Sequence, residues 1–235
     1  MSSTTRFRRL AGAACLVLGP VLLTIAFAIM PWQTSDGTAL DTLNLIGADV
    51  TTVQIADLLA FAGILVLIPA LLTLMRALGG RAAVLGLVGG ALSIAGAVGA
   101  MLVVVSDQMM IALADQTDLR PAAAAALDSS PAWALNVVLV VFLGGTFIGA
   151  IILGAGLLRS RIVPVWAGVA LILAPVVSIA AHIVDRKAID VVGSLLQLAA
   201  FTVVALRVAA TDDAAWEKGE LAGATRPAGA IVSVA

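Results

Sequence analysis

The sequence is poor in the residues that most often carry catalysis, redox chemistry or metal binding. It has no tyrosine, one histidine and one cysteine among 235 residues, and only 11% of the chain is charged. A single cysteine excludes an internal disulfide and a CxxC redox pair, and a single histidine argues against haem held by paired imidazoles. The same counts argue against structural zinc, which takes four ligands. We therefore expect no metal and no cofactor.

Basic and aromatic residues are also too few for two classes of protein. The 13 Lys and Arg residues are scattered in twos and threes rather than gathered into a patch with interleaved aromatics, so we expect no nucleic-acid partner. Four Trp and six Phe are the only aromatic residues. This argues against an enzyme that shields a carbocation with aromatic faces.

Apolar runs, by contrast, fill most of the chain. The sequence is 62% hydrophobic with a mean hydropathy of +1.14, whereas a soluble domain has about 25% charged residues. Runs of about 18 residues can cross a hydrocarbon core roughly 30 Å thick, and these lack the alternation of barrel strands. The sequence predicts an all-α polytopic membrane protein with six spans, over about 10–30, 54–75, 82–106, 132–158, 162–184 and 189–209.

Charge is sorted between the two sides of the membrane. Most arginines fall on the side that holds both termini, which the positive-inside rule assigns to the cytoplasm. Outside the C-terminal tail, the acidic residues fall on the other side: Asp36, Asp41, Asp49, Asp57, Asp107, Asp115, Asp118, Asp128, Asp185 and Asp190. We predict an N-in/C-in topology with a cytoplasmic segment 1–9, a transmembrane domain 10–209 and a disordered cytoplasmic tail 210–235.

Two long loops, about 31–53 and 107–131, are predicted on the outer side, whereas the inner connections are only a few residues long. Loops longer than about 12–15 residues are commonly either functional or disordered. The segment PAAAAALD, 121–128, begins with Pro and is nearly all Ala. It predicts a short helix that lies across the outer surface.

Polar residues at helical spacing mark the outer ends of the last two spans. Each span has three of them at i, i+4 and i+7: Ser178, His182 and Asp185 on the fifth, and Asp190, Ser194 and Gln197 on the sixth. Such spacing places each set on one helix face. A short link joins the two spans, so we expect the two polar faces to meet.

Other spans add polar residues at a similar depth. Asp57 lies near the start of the second span and Asn136 lies one turn into the fourth. A charged group at the centre of a bilayer costs about 2.5–3.5 kcal/mol on insertion scales, so such residues usually face the bundle interior. Polar residues at the very ends of spans are expected to meet water: Asp107, Gln108, Asp185, Arg186 and Lys187.

We interpret the deeper set as an outward-opening polar pocket that binds a small or lipidic ligand, with transport of that ligand as the more demanding version of this interpretation. Its candidate ligand-binding residues are Asp57, Asn136, Ser178, His182, Asp190, Ser194 and Gln197. An alternative is that these residues only form interhelical hydrogen bonds that hold the bundle together. Membrane lipids are the expected surroundings.

An integral-membrane enzyme acting on an isoprenoid or other lipid is a second interpretation. Asp57 or Asp190 would then act as a general acid with His182 as its partner, because a neighbouring carboxylate favours the protonated imidazole. The serines lack a G-x-S-x-G setting, so no nucleophile motif supports this interpretation. A third interpretation is an accessory subunit of a membrane complex.

Small residues at helical spacing predict close helix contacts. Gly86 and Gly90 form a GxxxG motif on the third span, and Gly145 and Gly149 form another on the fourth. The motifs do not indicate whether the contacts lie within one chain or between chains. If the contacts lie between chains, we expect a homo-oligomer or a hetero-oligomer that forms through these glycines.

Two stretches resemble a family. LLRSRIVPVWAGVALIL, 157–173, and ADLLAFAGILVLIPALLTLMRALGGR, 56–81, are similar to segments of small six-span bacterial membrane proteins classed as a domain of unknown function. The shared features are a long first outer loop, an acidic residue that opens the second span, and an inner Arg turn before Pro-x-Trp. The resemblance implies this fold and a location in the bacterial plasma membrane, and it supplies no catalytic residue.

Overall fold

A computed structural model describes residues 3–31, 37–129 and 133–219, which form six long α-helices, three short α-helices, two 3-10 helices (Gly80–Ala82 and Thr117–Leu119) and no β-strand. The long helices are α1 (Ser3–Ile29), α3 (Val50–Ala77), α4 (Ala83–Ala114), α6 (Trp133–Ser160), α7 (Val165–Ile183) and α8 (Lys187–Ala210). The short helices are α2 (Ala39–Ala48), α5 (Arg120–Ser129) and α9 (Asp213–Lys218). Each long helix contains a stretch that is apolar and long enough to cross a membrane. The predicted all-α, six-span fold is confirmed.

The six long helices form a closed ring. Each one packs against the helices before and after it in the order α1, α3, α4, α6, α7 and α8, and α8 packs back against α1. The N-terminus of α1 and the C-terminus of α8 therefore lie at the same end of the ring, which we call the arginine-rich end. The opposite end, where α3 and α8 begin, is called the acidic end.

Glycines allow neighbouring helix backbones to approach closely. A methyl group added at Gly96 of α4 would lie 2.5 Å from the backbone nitrogen of Thr146 in α6, and one added at Gly145 would lie 2.6 Å from the nitrogen of Gly96. Lipid chains are as apolar as leucine side chains, so helices in a bilayer associate through such close packing rather than through the hydrophobic effect. The contact between α4 and α6 therefore depends on these two glycines.

The four GxxxG glycines all pack against other segments of the same chain. Gly86 and Gly90 lie against Leu78 and Met75 at the end of α3, and Gly149 of α6 lies against Ser93 of α4. Other neighbouring pairs also meet at glycines: Gly12, Gly19 and Gly63 between α1 and α3, Gly154 and Gly168 between α6 and α7, and Gly193 between α7 and α8. An oligomer stays a prediction. Because these glycines already contact other helices of the same chain, it would have to form through other faces of the bundle.

Two cations close the ring between α1 and α8. Arg9 is 7% exposed, and its Nη1 donates to the carbonyls of Val208 and Ala209 at 3.1 and 2.5 Å. At the other end, Lys187 Nζ donates to the carbonyl of Met30 at 2.7 Å. The last carbonyls of a helix have no partner within the helix, so each cation satisfies acceptors that the helix leaves open.

Large apolar side chains fill the arginine-rich half of the ring. The buried cluster there includes Leu16, Leu71, Leu74, Leu78, Leu153, Leu157, Leu171, Phe201 and Val204. These residues come from α1, α3, α6, α7 and α8, so the cluster joins helices that are not all neighbours in the ring. The interior at this end is therefore a packed apolar core.

A small cap covers the acidic ends of α3 and α4. It consists of α2 and α5, whose Leu43, Ile46 and Ala124 form a second buried cluster with Val53 of α3 and Ile111 of α4. Helix α4 continues to Ala114, two turns beyond its predicted end at 106, because its last turns are buried against this cap. The predicted helix at 121–128 is confirmed as α5.

Hydrogen bonds hold the cap in place. Arg120 Nε donates to the carbonyl of Ala114 at 2.6 Å, which ties α5 to the end of α4. Thr38 and Asp41 form a capping box at the start of α2, and these hydrogen bonds lower the pKa of Asp41. Asp49 is the N-cap of α3: its carboxylate accepts hydrogen bonds from the backbone N–H and the hydroxyl of Thr52, which lower the pKa of Asp49.

The start of the C-terminal tail differs from its prediction as disordered. Residues 213–218 form α9, which begins at the N-cap Asp212 and buries Trp216 in the arginine-rich core. Arg76 lies 5.2 Å from the centroid of the Trp216 ring, and Arg9 Nε pairs with Asp213 Oδ1 at 3.1 Å. One apolar side chain and two buried or stacked cations are enough to dock this short helix. Residues 32–36 of the first loop, 130–132 of the second and 220–235 of the tail lie outside the described residues.

The substitution Gly96→Ala should destabilise the bundle, because the added methyl group meets the backbone of α6, which cannot rotate away. We expect a loss of about 1–3 kcal/mol in the free energy of unfolding, measured by denaturant titration in detergent. Gly144→Ala is the matched control, since nothing lies within 4 Å of a methyl group added there. Equal effects of the two substitutions would contradict the α4–α6 packing.

The substitution Arg9→Gln should open the seam between α1, α8 and α9, because it leaves Asp213 and two helix-terminal carbonyls without their cation. We expect a loss of about 3 kcal/mol in unfolding free energy and faster proteolysis at Lys218. Arg8→Gln changes the exposed neighbouring arginine and serves as the control. Unchanged proteolysis of Arg9→Gln would show that α9 docks without this ion pair.

Candidate functional site

Asp57 occupies a core position in the acidic half of α3. It shares a helix face with Ala60, Ile64, Leu71 and Leu74, which are all buried, so its side chain points where a core residue would point. Asp57 itself is 1% exposed. Among the described residues, it is the one acidic side chain that is fully buried. The sequence-based expectation that Asp57 faces the bundle interior is therefore confirmed.

Within the described residues, only one of the two Asp57 carboxylate oxygens has a hydrogen-bond partner. Gln108 of α4 donates from Nε2 to Asp57 Oδ2 at 2.8 Å. Oδ1 is buried and accepts no hydrogen bond from any described residue. A buried polar group without a partner costs about 1–3 kcal/mol, and a charged one costs more. Asp57 Oδ1 is therefore a buried acceptor without a donor among the described residues, and this lowers the stability of the fold.

A second acidic residue lies near this contact. Asp107, next to Gln108 on α4, is half-buried. Within the described part of the chain, Asp57 forms no ion pair with a lysine or arginine. The two carboxyl groups and the Gln108 amide thus form a cluster between α3 and α4, which we call the Asp57 cluster.

The cap lies directly beyond the Asp57 cluster. Val53 is one turn before Asp57 on α3, and Ile111 is one turn after Gln108 on α4; both belong to the buried cluster of the cap. The cap therefore covers the Asp57 cluster from the acidic end of the bundle.

A second polar group lies between α7 and α8. The Ser178 hydroxyl donates to Asp190 Oδ1, which confirms that the polar faces of these two helices meet. Ser178 stands between Ala174 and Ala181 on the buried face of α7, and both alanines are buried. Ser178 and Asp190 are half-buried, and they form the part of the predicted site that joins two helices.

The other predicted site residues differ in their placement. Gln197 is half-buried one turn from Gly193 and Ala200 on the interior face of α8. The Ser194 hydroxyl donates to the carbonyl of Asp190 at 3.2 Å, within its own helix. His182 is exposed, with Nδ1 2.9 Å from the carbonyl of Ser178, and Asn136 is exposed on α6.

Gln108 is exposed, as the sequence-based interpretation expected, but its hydrogen bond to the buried Asp57 was missed. Gln108 lies inside α4 rather than at its end, and its amide reaches the buried carboxylate of Asp57. One sequence signal could have found this contact: the apolar helical pattern continues through Ile111 and Ala114, which extends the helix past Gln108. No group of three His, Cys, Asp or Glu side chains in the described residues is placed to hold a metal ion.

Comparisons with protein-family models, with curated proteins and with solved structures find no match to this chain. The resemblance to small six-span bacterial membrane proteins therefore stays a prediction. The six apolar helices establish a multi-pass membrane protein, and the polar clusters have to be interpreted from their own chemistry.

Replacing Asp57 by leucine should stabilise the protein, because the substitution removes an unpartnered buried acceptor and continues the apolar face of α3. We expect the unfolding free energy to rise by about 1–3 kcal/mol in a denaturant titration. Gln108→Ala should destabilise the wild-type chain, in which it leaves both Asp57 oxygens unpartnered, and should have little effect beside Asp57→Leu. A destabilised Asp57→Leu variant would instead indicate a structural role for the carboxylate.

Proposed function

We propose that this membrane protein binds a small or lipidic ligand inside the acidic half of its helix ring. The observation that carries the proposal is the buried Oδ1 of Asp57, which has no partner among the described residues. A buried acidic residue that lowers the stability of the fold is most readily explained by a role in binding or catalysis. The ligand would supply the missing hydrogen bond.

The helices on the other side of the ring support the proposal with further polar groups. Asp190 and Gln197 of α8 and Ser178 of α7 are half-buried on interior-facing positions of the acidic half. Ligand sites in helix bundles are built in this way, from a few polar side chains on facing helices within an apolar wall. Asp57 would anchor the ligand, and the α7–α8 group would contact its far side.

Binding is favoured over transport by the asymmetry of the ring. The arginine-rich half is filled by large buried side chains, among them Leu74, Leu157 and Phe201, and α9 adds Trp216 to this core. A ligand at Asp57 could leave at the arginine-rich end only if that core rearranged. A ligand would therefore reach Asp57 sideways between helices, or past the cap at the acidic end.

The geometry gives less support to the enzyme hypothesis. His182, the expected catalytic partner, is exposed on α7, and its Nδ1 contacts a backbone carbonyl. Asp57 instead has the Gln108 amide as its partner, and an amide does not transfer protons at neutral pH. The geometry thus suits recognition better than acid–base chemistry.

The proposal is tested by asking what the purified protein retains. Wild-type protein, Asp57→Asn and the control Asp128→Asn are purified in a mild detergent, and the molecules that co-purify are extracted and identified by mass spectrometry. We expect a compound that is enriched with the wild type and the control and reduced about tenfold or more with Asp57→Asn. The factor corresponds to the loss of one charge-assisted hydrogen bond.

Asp128 is a suitable control because it is an exposed carboxylate at the acidic end. The same compounds in the same amounts from all three proteins would overturn the proposal. A chemically altered lipid that requires Asp57 would favour the enzyme, and a co-purifying protein would favour the accessory subunit.

A further inference from the structure

We infer that the Asp57 cluster recognises an organic cation, namely an ammonium group attached to an apolar body. This inference rests on the proposed function and specifies the class of ligand. It follows from the charge, the hydrogen-bonding groups and the apolar surroundings of the cluster.

The first step concerns charge. Asp57 is buried, and no described lysine or arginine pairs with it; Asp107, next to the Gln108 that binds Asp57, adds a second acidic residue to the cluster. Two cations of the acidic end are already used: Lys187 donates to the carbonyl of Met30, and Arg120 donates to the carbonyl of Ala114. Residues 32–36 and 130–132, which belong to the loops at this end, contain no lysine or arginine. A bound cation would supply the missing positive charge.

The second step concerns hydrogen bonding. Gln108 donates one N–H of its amide to Asp57 Oδ2, and Asp57 Oδ1 accepts no hydrogen bond from any described residue. The buried Asp57 Oδ1 needs a donor, and an ammonium group provides up to three N–H donors. Hydrogen bonds between such a donor and a carboxylate are about twice as strong as neutral ones.

A metal ion fits these groups less well than an ammonium. Calcium takes about six to eight oxygen ligands, and magnesium takes six at strict geometry. The cluster offers side chains from only three residues, and in the described part of the chain no three acidic, histidine or cysteine side chains converge. An ammonium needs fewer partners because it is held by directed hydrogen bonds.

The third step concerns the walls of the site. Val53, Ala56, Ala60 and Ile64 surround Asp57 along α3, and all four are buried. A ligand that reaches the Asp57 carboxylate must therefore pass apolar side chains. An ammonium with an apolar body would bury that body against them while the charge pairs with Asp57. A fully hydrated inorganic cation would lose its hydration shell without this gain.

The inference is tested with a matched pair of probes, 2-phenylethylamine, which is protonated at neutral pH, and 2-phenylethanol, which is neutral and of nearly the same shape. Binding to the full-length protein in detergent is measured by isothermal titration calorimetry, with sodium chloride as a third arm. A series of longer primary amines extends the measurement. We expect the amines to bind and the alcohol to bind at least tenfold more weakly.

Variants assign the binding to the cluster. Asp57→Asn should weaken amine binding by about tenfold or more, because it removes the charge and keeps the shape. Asp107→Asn should weaken it by a smaller factor, and Asp128→Asn should leave it unchanged. Circular dichroism and size-exclusion chromatography verify that each variant is folded, and Asp107→Asn provides the test if Asp57→Asn is not.

Failure of this inference can be told apart from failure of the proposed function. A neutral compound that co-purifies in an Asp57-dependent manner would keep the proposed function and overturn the cation. Equal affinity for amine and alcohol, sodium binding that displaces the amines, or no binding by any amine would also overturn it. Absence of both an Asp57-dependent compound and amine binding would overturn both proposals.

Discussion

Close approach of helix backbones at glycine is the constraint on which the structure depends. In a bilayer, burying a leucine between two helices gains little, because lipid chains offer similar contacts. The helices therefore associate where their backbones come near enough for dense packing. Gly96 and Gly145 do this between α4 and α6, and Gly19 and Gly63 do it between α1 and α3. The α1–α8 seam relies on Arg9 and Lys187, which satisfy carbonyls at the helix ends.

The ring has two unlike halves, and this difference locates its chemistry. One half is filled by closely packed leucines and closed by Trp216, so its helices are held rigidly. In the other half, polar residues stand at positions that face the interior, and Asp57 is buried with one oxygen unpartnered. The packed half keeps the helices rigid. The buried, unpartnered oxygen in the polar half lowers the stability of the bundle. A site that is costly when empty is well suited to bind a ligand that completes it.

Helical spacing predicted the parts of the site that depend on a single helix or on two helices joined by a short link. Ser178 and Asp190 meet as expected, because a short link forces antiparallel packing of α7 and α8. Asp57 faces the interior as expected, because its spacing continues that of the buried leucines. The hydrogen bond of Gln108 to Asp57 was missed because it depends on contact with α3 and on the added turns of α4. The docking of α9 was missed for a similar reason, since Trp216 is buried only against other helices.

The sequence alone determined the helical class, the six spans and the sorting of arginine and aspartate between two ends, because apolar length, backbone hydrogen bonding and charge are local properties of the chain. Tertiary structure decided which glycines meet, where the cap lies and which Asp57 oxygen has a partner. Those features depend on how each helix is rotated about its axis and how far it is shifted along that axis. Contacts with helices distant in sequence set both. The same apolar runs are compatible with many packings, and the packing of this structure buries Asp57 beside Gln108.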